Sequence, residues 1–356
     1  MRERYQRWMH DWEYRLTTRD SNRVVRPLEY GLEWMRAWPA ALTGQKDGEN
    51  AAHGNGVPAA EHTLRSANER ILADSDAFLA YAPRTDYRLE SSGGARFLRF
   101  TSAGETPYAE NNTVNARWFP ARGKRAVVVL PQWNADAGSH LGLCRILQFL
   151  GIASLRLSLP YHDVRKPAET ERADYAVSAN LGRTLDAARQ AVLDLRGCLD
   201  WLEARGYPRL GVVGTSLGSC YAFIASAHDP RLRVNVFNHA STYFADVVWT
   251  GQSTRHIRAG LEPEISLERL RPLWHAISPF CYFDRFARFQ KKSLVIYASY
   301  DLTFLPEFSR QVVAEFARRK LDCENAVLPC GHYTTGETPY KYLDAWHIAR
   351  FLNSAF

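Results

Sequence analysis

The spacing of hydrophobic positions changes several times along the chain, and each change marks an element. Between residues 180 and 205, Leu181, Leu185, Ala188, Val192, Leu195, Leu199 and Leu202 recur in steps of three and four. That is the spacing of one core-facing helix seam, and Gly206 and Pro208 end it. Residues 126–130, in contrast, are continuously apolar, as in a strand buried on both faces. Residues 96–101 and 113–119 alternate apolar and polar side chains, the pattern of an antiparallel pair with one wet face. Further short apolar runs predict strands at 153–157, 210–213, 234–238, 293–298 and 325–328. Helices are expected at 139–150, from Leu217 to Ala227, and from Pro306, where Phe308, Val312 and Phe316 share a face. A final helix is expected after Thr338 as N-cap, with Pro339 in its first turn.

Strands alternating with helices predict an α/β protein. The expected architecture is a mostly parallel central sheet with helices on both faces, preceded by antiparallel strands. This domain spans 86–356. Residues 241–290 interrupt the rhythm and are rich in rings, among them Tyr243, Phe244, Trp249, Trp274, Phe280, Tyr282 and Phe283. They read as an aromatic-rich cap insertion folded over the strand ends. Residues 1–85 read as an N-terminal helical extension. Tyr5, Trp8, Met9 and Trp12 form one helical stripe, Leu28, Leu32, Met35 and Trp38 a second, and a further helix is expected from 61 to about 81. Between them, 43–60 lacks periodicity and reads as a flexible loop.

Composition narrows the class. Of 356 residues, 46% are hydrophobic and 23% charged, which is globular. The formal net charge is +7, but the arginines are scattered, without the dense run of a nucleic-acid arm. No nucleic-acid partner is expected. The six cysteines include no C-x-x-C pair, so no zinc or redox motif is expected, and the placement of three of them in segments read as buried helix or strand suits a reducing cytoplasm. The first residues are charged and lack a signal-peptide core. No apolar run of membrane-spanning length occurs. The aromatic stripes of the N-terminal helices are expected to pack on the main domain; a homo-oligomer interface or a membrane-surface contact is the alternative for so basic and tryptophan-rich a helix.

The chemistry gathers where a strand meets a helix. The apolar run 210–213 leads into Gly214-Thr215-Ser216-Leu217-Gly218, and an apolar helix follows. Strand, sharp turn and helix is the setting of a nucleophile elbow. The glycines on either side of the serine avoid Cβ clashes in so tight a turn. A serine needs a base, and the base an orienting partner. Asp301 follows the 293–298 strand and His332 follows the last strand, so both can converge on Ser216. Asp246 is the rival acid. Gln132, Tyr161, His162, His239 and Trp249 are candidate substrate contacts near strand ends or in the insertion.

From about Asp86 onward the chain resembles the α/β-hydrolases. The matching positions are Ser216 in the G-x-S-x-G turn, Asp301 in Tyr300-Asp301-Leu302-Thr303-Phe304-Leu305-Pro306, and His332 in Cys330-Gly331-His332-Tyr333, in the superfamily's chain order. Within the superfamily the chain is most similar to acetyl-xylan-esterase-like bacterial esterases and to the α/β-hydrolase-domain proteins of eukaryotes. The resemblance implies a Ser-His-Asp triad, an acyl-enzyme, a carboxylic ester as small-molecule substrate, and no cofactor or metal. It also implies an oxyanion hole from the N–H groups of Leu217 and of Trp133, with Gln132 as the alternative. Here the chain departs from the family, because Pro131-Gln132-Trp133-Asn134 stands where a glycine-containing turn is usual. The rings of the insertion, with Trp133 and Tyr161, suggest a small acyl group. Acyl transfer to another alcohol, lipid deacylation, and a non-catalytic binding role are the alternatives.

Overall fold

The computed structural model describes residues 2–20, 22–44 and 57–356. Its strands are β1 (Arg88–Ser92), β2 (Ala95–Thr101), β3 (Thr113–Phe119), β4 (Arg125–Leu130), β5 (Ile152–Leu157), β6 (Arg209–Thr215), β7 (Leu232–Asn238), β8 (Lys292–Ala298) and β9 (Cys323–Leu328). They form one nine-stranded sheet in the order β1-β2-β3-β5-β4-β6-β7-β8-β9. The pairings β1–β2, β2–β3 and β3–β5 are antiparallel. Every pairing from β5 to β9 is parallel. The chain moves from β4 to β5 on one side and returns to β6 on the other. That reversal of direction is the switch point beyond which α/β sheets bind their ligands.

The helices are α1 (Arg2–Thr17), α2 (Ala40–Thr43), α3 (Val57–Ala73), α4 (Ser75–Phe78), α5 (Leu141–Phe149), α6 (Leu181–Ala204), α7 (Leu217–His228), α8 (Phe244–Thr250), α9 (Arg255–Leu261), α10 (Leu267–Leu273), α11 (Phe283–Phe286), α12 (Pro306–Arg318) and α13 (Tyr340–Ala355). Alternate strand residues feed two cores. Val127, Val129, Val213, Val236 and Ile296 pack with α5 and α13. Ala126, Val128, Leu130, Val212 and Phe237 pack with α6, α7 and α12. Covering on both faces accounts for the continuous apolar strands.

The N-terminal segment joins both cores. Met9 of α1 enters the α5–α13 core. Further along, Glu29 forms an isolated bridge with Asn180. Met35 and Trp38 enter the α6–α7 core. The second N-terminal stripe is a six-residue 3₁₀ turn, Leu32–Ala37, rather than an α-helix. Left-handed Gly31 precedes it and Pro39 follows it. Of the loop expected at 43–60, residues 45–56 lie outside the described residues, and 57–60 begin α3. The last helix starts one residue later than expected, with Pro339 as its N-cap. Helix α3 is joined to the end of α10 and the segment after it where its Asn68 donates to the Leu273 carbonyl and accepts from the Ala276 N–H. Among the described residues no helix is long and apolar enough to cross a membrane.

Candidate active site

Ser216 stands between β6 and α7 with φ 57° and ψ −120°, a conformation that a non-glycine residue holds only when its surroundings force it. The neighbouring glycines show how tight the turn is. A Cβ on Gly214 would lie 2.3 Å from the Gly218 carbonyl oxygen. A Cβ on Gly218 would lie 2.5 Å and 2.6 Å from the carbonyl oxygens of Leu130 and Pro131. Gly218 therefore lets the loop after β4 approach the serine. The Ser216 N–H donates to the Asn238 carbonyl at 2.8 Å, which ties the turn to the end of β7.

The hydrogen-bonded chain starts at this serine. Ser216 Oγ lies 2.9 Å from His332 Nε2, and His332 Nδ1 lies 2.8 Å from Asp301 Oδ2. Main-chain bonds carry the β8–β9 pairing past the strand ends, from Ser299 to Leu328 and from Tyr300 to Cys330, both at 2.9 Å. This sets the Asp301 loop beside the His332 loop. The other carboxylate oxygen of Asp301 accepts the N–H groups of Thr303 and Phe304, each at 2.7 Å. Burial works to raise the pKa of Asp301. The charge of His332 and the hydrogen bonds from two imidazoles outweigh it, so the carboxyl is held well below the usual carboxylate range.

The second imidazole belongs to His239, whose Nδ1 lies 2.9 Å from the same Asp301 oxygen. The sequence expectation made His239 a substrate contact; it lines the cavity and is also a partner of the acid. A left-handed φ of 54° at the end of β7 turns it inward. His239, Asp301 and His332 place donor atoms within 4.8 Å of one another and could hold a metal ion. Both Nδ1 atoms already face Asp301, so a metal there would have to displace their protons. Asp246, the rival acid, is instead paired with Arg271 at 2.6 Å.

The loop after β4 is braced from behind. His162 is buried and its Nε2 accepts the Asn134 N–H at 3.0 Å. Burial pushes this imidazole down to about 4, which keeps it neutral and able to accept. Asn134 accepts the Ala173 N–H at 2.8 Å, and Trp133 Nε1 donates to the Ala173 carbonyl at 2.9 Å. The main-chain N–H groups of Gln132, Trp133 and Leu217 make no bond to protein among the described residues, whereas that of Asn134 is taken.

A cavity of about 730 Å³ opens over Ser216 and His332, within the range of small-molecule sites. Gln132, Trp133, Leu217 and His239 line it, as do Val177, Phe244, Val247, Val248 and Phe304. Three expected contacts do not line it. Tyr161 is fully buried under Tyr108 and Tyr175. His162 supports the loop after β4 as described above. Trp249 turns away, with the Arg258 guanidinium over its ring. Of the insertion's rings only Phe244 reaches the cavity. Phe283 packs into the α7–α12 core and Trp274 is buried against Phe244.

The sequence reading missed Glu13, whose buried carboxylate accepts the Tyr333 N–H just after His332. One signal was available: Met9, Glu13 and Leu16 step by four and three on α1, so an acid interrupts an apolar stripe.

No family model matches the chain, and no curated protein matches it. Solved structures do. Acetyl xylan esterase 1 from Thermoanaerobacterium sp. JW/SL YS485 superposes with a TM-score of 0.58 at 15% identity, over 82% of this chain and 93% of that one. The acetyl xylan esterase from Paenibacillus sp. R4 gives 0.56 at 14% identity, over 91% and 99%. The Pyrococcus horikoshii acylaminoacyl peptidase gives 0.55 at 10% identity over 74% of this chain, which spans 41% of the peptidase's length. The chain has the α/β-hydrolase fold, and these neighbours are by name two acetyl xylan esterases and an acylaminoacyl peptidase.

Proposed function

We propose that this protein is a serine hydrolase that cleaves carboxylic esters. The observation that carries the reading is the hydrogen-bonded chain Ser216–His332–Asp301 beneath an open cavity. Ser216 Oγ attacks the acyl carbon as His332 Nε2 takes its proton. The N–H groups of Leu217 and Trp133 hold the developing oxyanion, with Gln132 as the alternative donor. The imidazolium then gives its proton to the leaving alcohol, and Asp301 stabilises that cation and fixes the tautomer. Water, activated by His332, attacks the acyl-enzyme and frees the acid and Ser216. No cofactor enters these steps. A fluorophosphonate probe should label Ser216, and Ser216→Ala should lose both labelling and esterase activity, by about 10⁶-fold in kcat. Labelling at another residue would overturn the reading. Acyl transfer to an added alcohol would make water the lesser acceptor.

Of the rings named from the sequence, Trp133 and Phe244 line the cavity and Tyr161 does not. The cavity lining includes the aliphatic Val177, Leu217, Val247 and Val248 beside the rings of Trp133, Phe244, Phe304, Tyr333 and Tyr342. We therefore propose acyl chains short but longer than acetyl. Along an aryl ester series kcat/KM should rise about fourfold per methylene from acetyl to butyryl or beyond, at ~0.8 kcal/mol each. A maximum at acetyl would restore the ring-limited pocket.

A further inference from the structure

Helix α1 grips both sides of the loop that carries His332. On one side Tyr5 Oη donates to the Pro329 carbonyl at 2.5 Å. On the other, Glu13 accepts the Tyr333 N–H at 2.6 Å and the Thr334 N–H at 3.1 Å. The Thr334 hydroxyl lies 3.3 Å from Glu13 and 3.3 Å from Met9 Sδ, and accepts the Gly331 N–H at 2.7 Å. Packing adds to these bonds. A Cβ on Gly331 would lie 2.2 Å from Glu13 Cγ and Oε1, so the bare glycine before His332 makes room for this acid. Glu13 itself is fully buried. A buried carboxylate is retained only where it is fully partnered, and its partners here are the loop's own main-chain donors.

We propose that Glu13 is a positioning residue for His332. Its carboxylate fixes the main chain immediately after the histidine, and its side chain fills the space beside the residue immediately before. The imidazole is thereby held at hydrogen-bonding distance from Ser216. Glu13 acts through the loop: it bonds the main chain of Tyr333, which lines the cavity, but does not line the cavity itself. The inference rests on the reading of His332 as general base. It makes the N-terminal helix part of the active site, so α1 is more than a cover for the sheet. A displacement of about 1 Å at a reacting group can cost about 10²-fold in rate, which sets the size of the effect.

The test compares wild type, Glu13→Gln, Glu13→Ala, Gly331→Ala and the Glu13→Ala/Gly331→Ala double variant on an aryl ester. Rates are expressed per serine labelled at end point by a fluorophosphonate, so unfolded protein is not counted. Glu13→Gln should lower kcat by about 10- to 100-fold and leave KM within about threefold. Gly331→Ala should cost less in the Glu13→Ala background than in wild type, because the clash is gone. An unchanged kcat per labelled serine, or strict additivity of the two changes, overturns the inference. Should Glu13→Gln not fold, Glu13→Asp decides. It keeps the carboxyl group but withdraws it by one methylene, so a normal kcat overturns the inference and a lowered one supports it. A wild type that neither hydrolyses esters nor labels at Ser216 overturns the functional reading and this inference together. An active wild type with unaffected variants overturns this inference alone.

Discussion

The serine and the histidine of this site are held in different ways. Ser216 is fixed by its immediate neighbours, with β6 before it, α7 after it and Gly214 and Gly218 clearing the turn. His332 sits on a loop whose anchors come from far away, Glu13 across 320 positions and Tyr5 across 324. One half of the site is thus a local consequence of sequence, and the other exists only once distant elements have met. A locally strained turn keeps its shape as long as its strand and helix persist. A loop pinned by a remote helix is as stable as that helix's docking.

Three measurements break or sharpen this contrast. The largest effect is expected where the two halves join. Asp301→Asn should lower kcat by about 10⁴-fold with the fold intact, because His332 then takes the wrong tautomer. Asp246→Asn should leave kcat near wild type, since its carboxylate is engaged with Arg271; the opposite order would move the acid to α8. Next, Gly218→Ala attacks the serine side alone. Its Cβ would press on the Leu130 and Pro131 carbonyls and displace the loop after β4. A loss of about 10²-fold in kcat, the worth of one oxyanion donor, should come with little change at the His332 loop, read as unchanged amide-exchange protection of Tyr333 and Thr334. Loss of that protection would show that the halves are not independent.

The smallest effect is a pH dependence of stability on the histidine side. Burial, and then the charge of Asp301, pushes the Glu13 carboxyl up to about 8 from 4.5, against the hydrogen bonds of Thr334 and Tyr333. Asp301, His239 and Cys330 are the other titratable groups whose charges act with it. A raised carboxyl means that between those values the folded chain holds a proton that the unfolded chain has lost. The stabilisation is full below pH 4.5 and is lost as pH rises through about 8. The melting temperature of wild type should therefore fall by a few degrees from about pH 5 to 8.5 relative to Glu13→Gln. Parallel curves for the two proteins would count against the buried, proton-holding acid.

The same division explains what could be read in the sequence. The elbow was legible because a strand, two glycines and a helix lie within one short stretch. Asp301 and His332 were legible because each follows a strand whose apolar run is plain. The seam of α6 was read as one buried face, but the helix is covered nearly all round. Its polar residues are engaged too: Asp186 with Trp38, Arg189 with the Phe78 carbonyl, and Asp194 with Arg165. Periodicity sees the apolar seam of such a helix and cannot see that residues 38 and 78 return to cover the polar side. Tyr161 and Trp249 were misplaced for the same reason, since a ring near a strand end can turn toward the cavity or away from it. Pairing of His239 with Asp301 depends on the backbone turn after β7, which hydrophobic spacing does not encode.

The grip of α1 on the loop also sets an order of events during synthesis. Glu13 leaves the ribosome some 320 residues before Tyr333, which at 5–20 residues per second is roughly 16–64 s. Through that interval the stripe of Met9 and Leu16 has no loop to close against, and Glu13 has no N–H groups to receive. The nascent helix must wait, exposed or held by a chaperone, until β9 has been made and added to the sheet. Sensitivity to chaperone supply should therefore be concentrated in the first turns of the chain, the part that makes its contacts with the His332 loop latest.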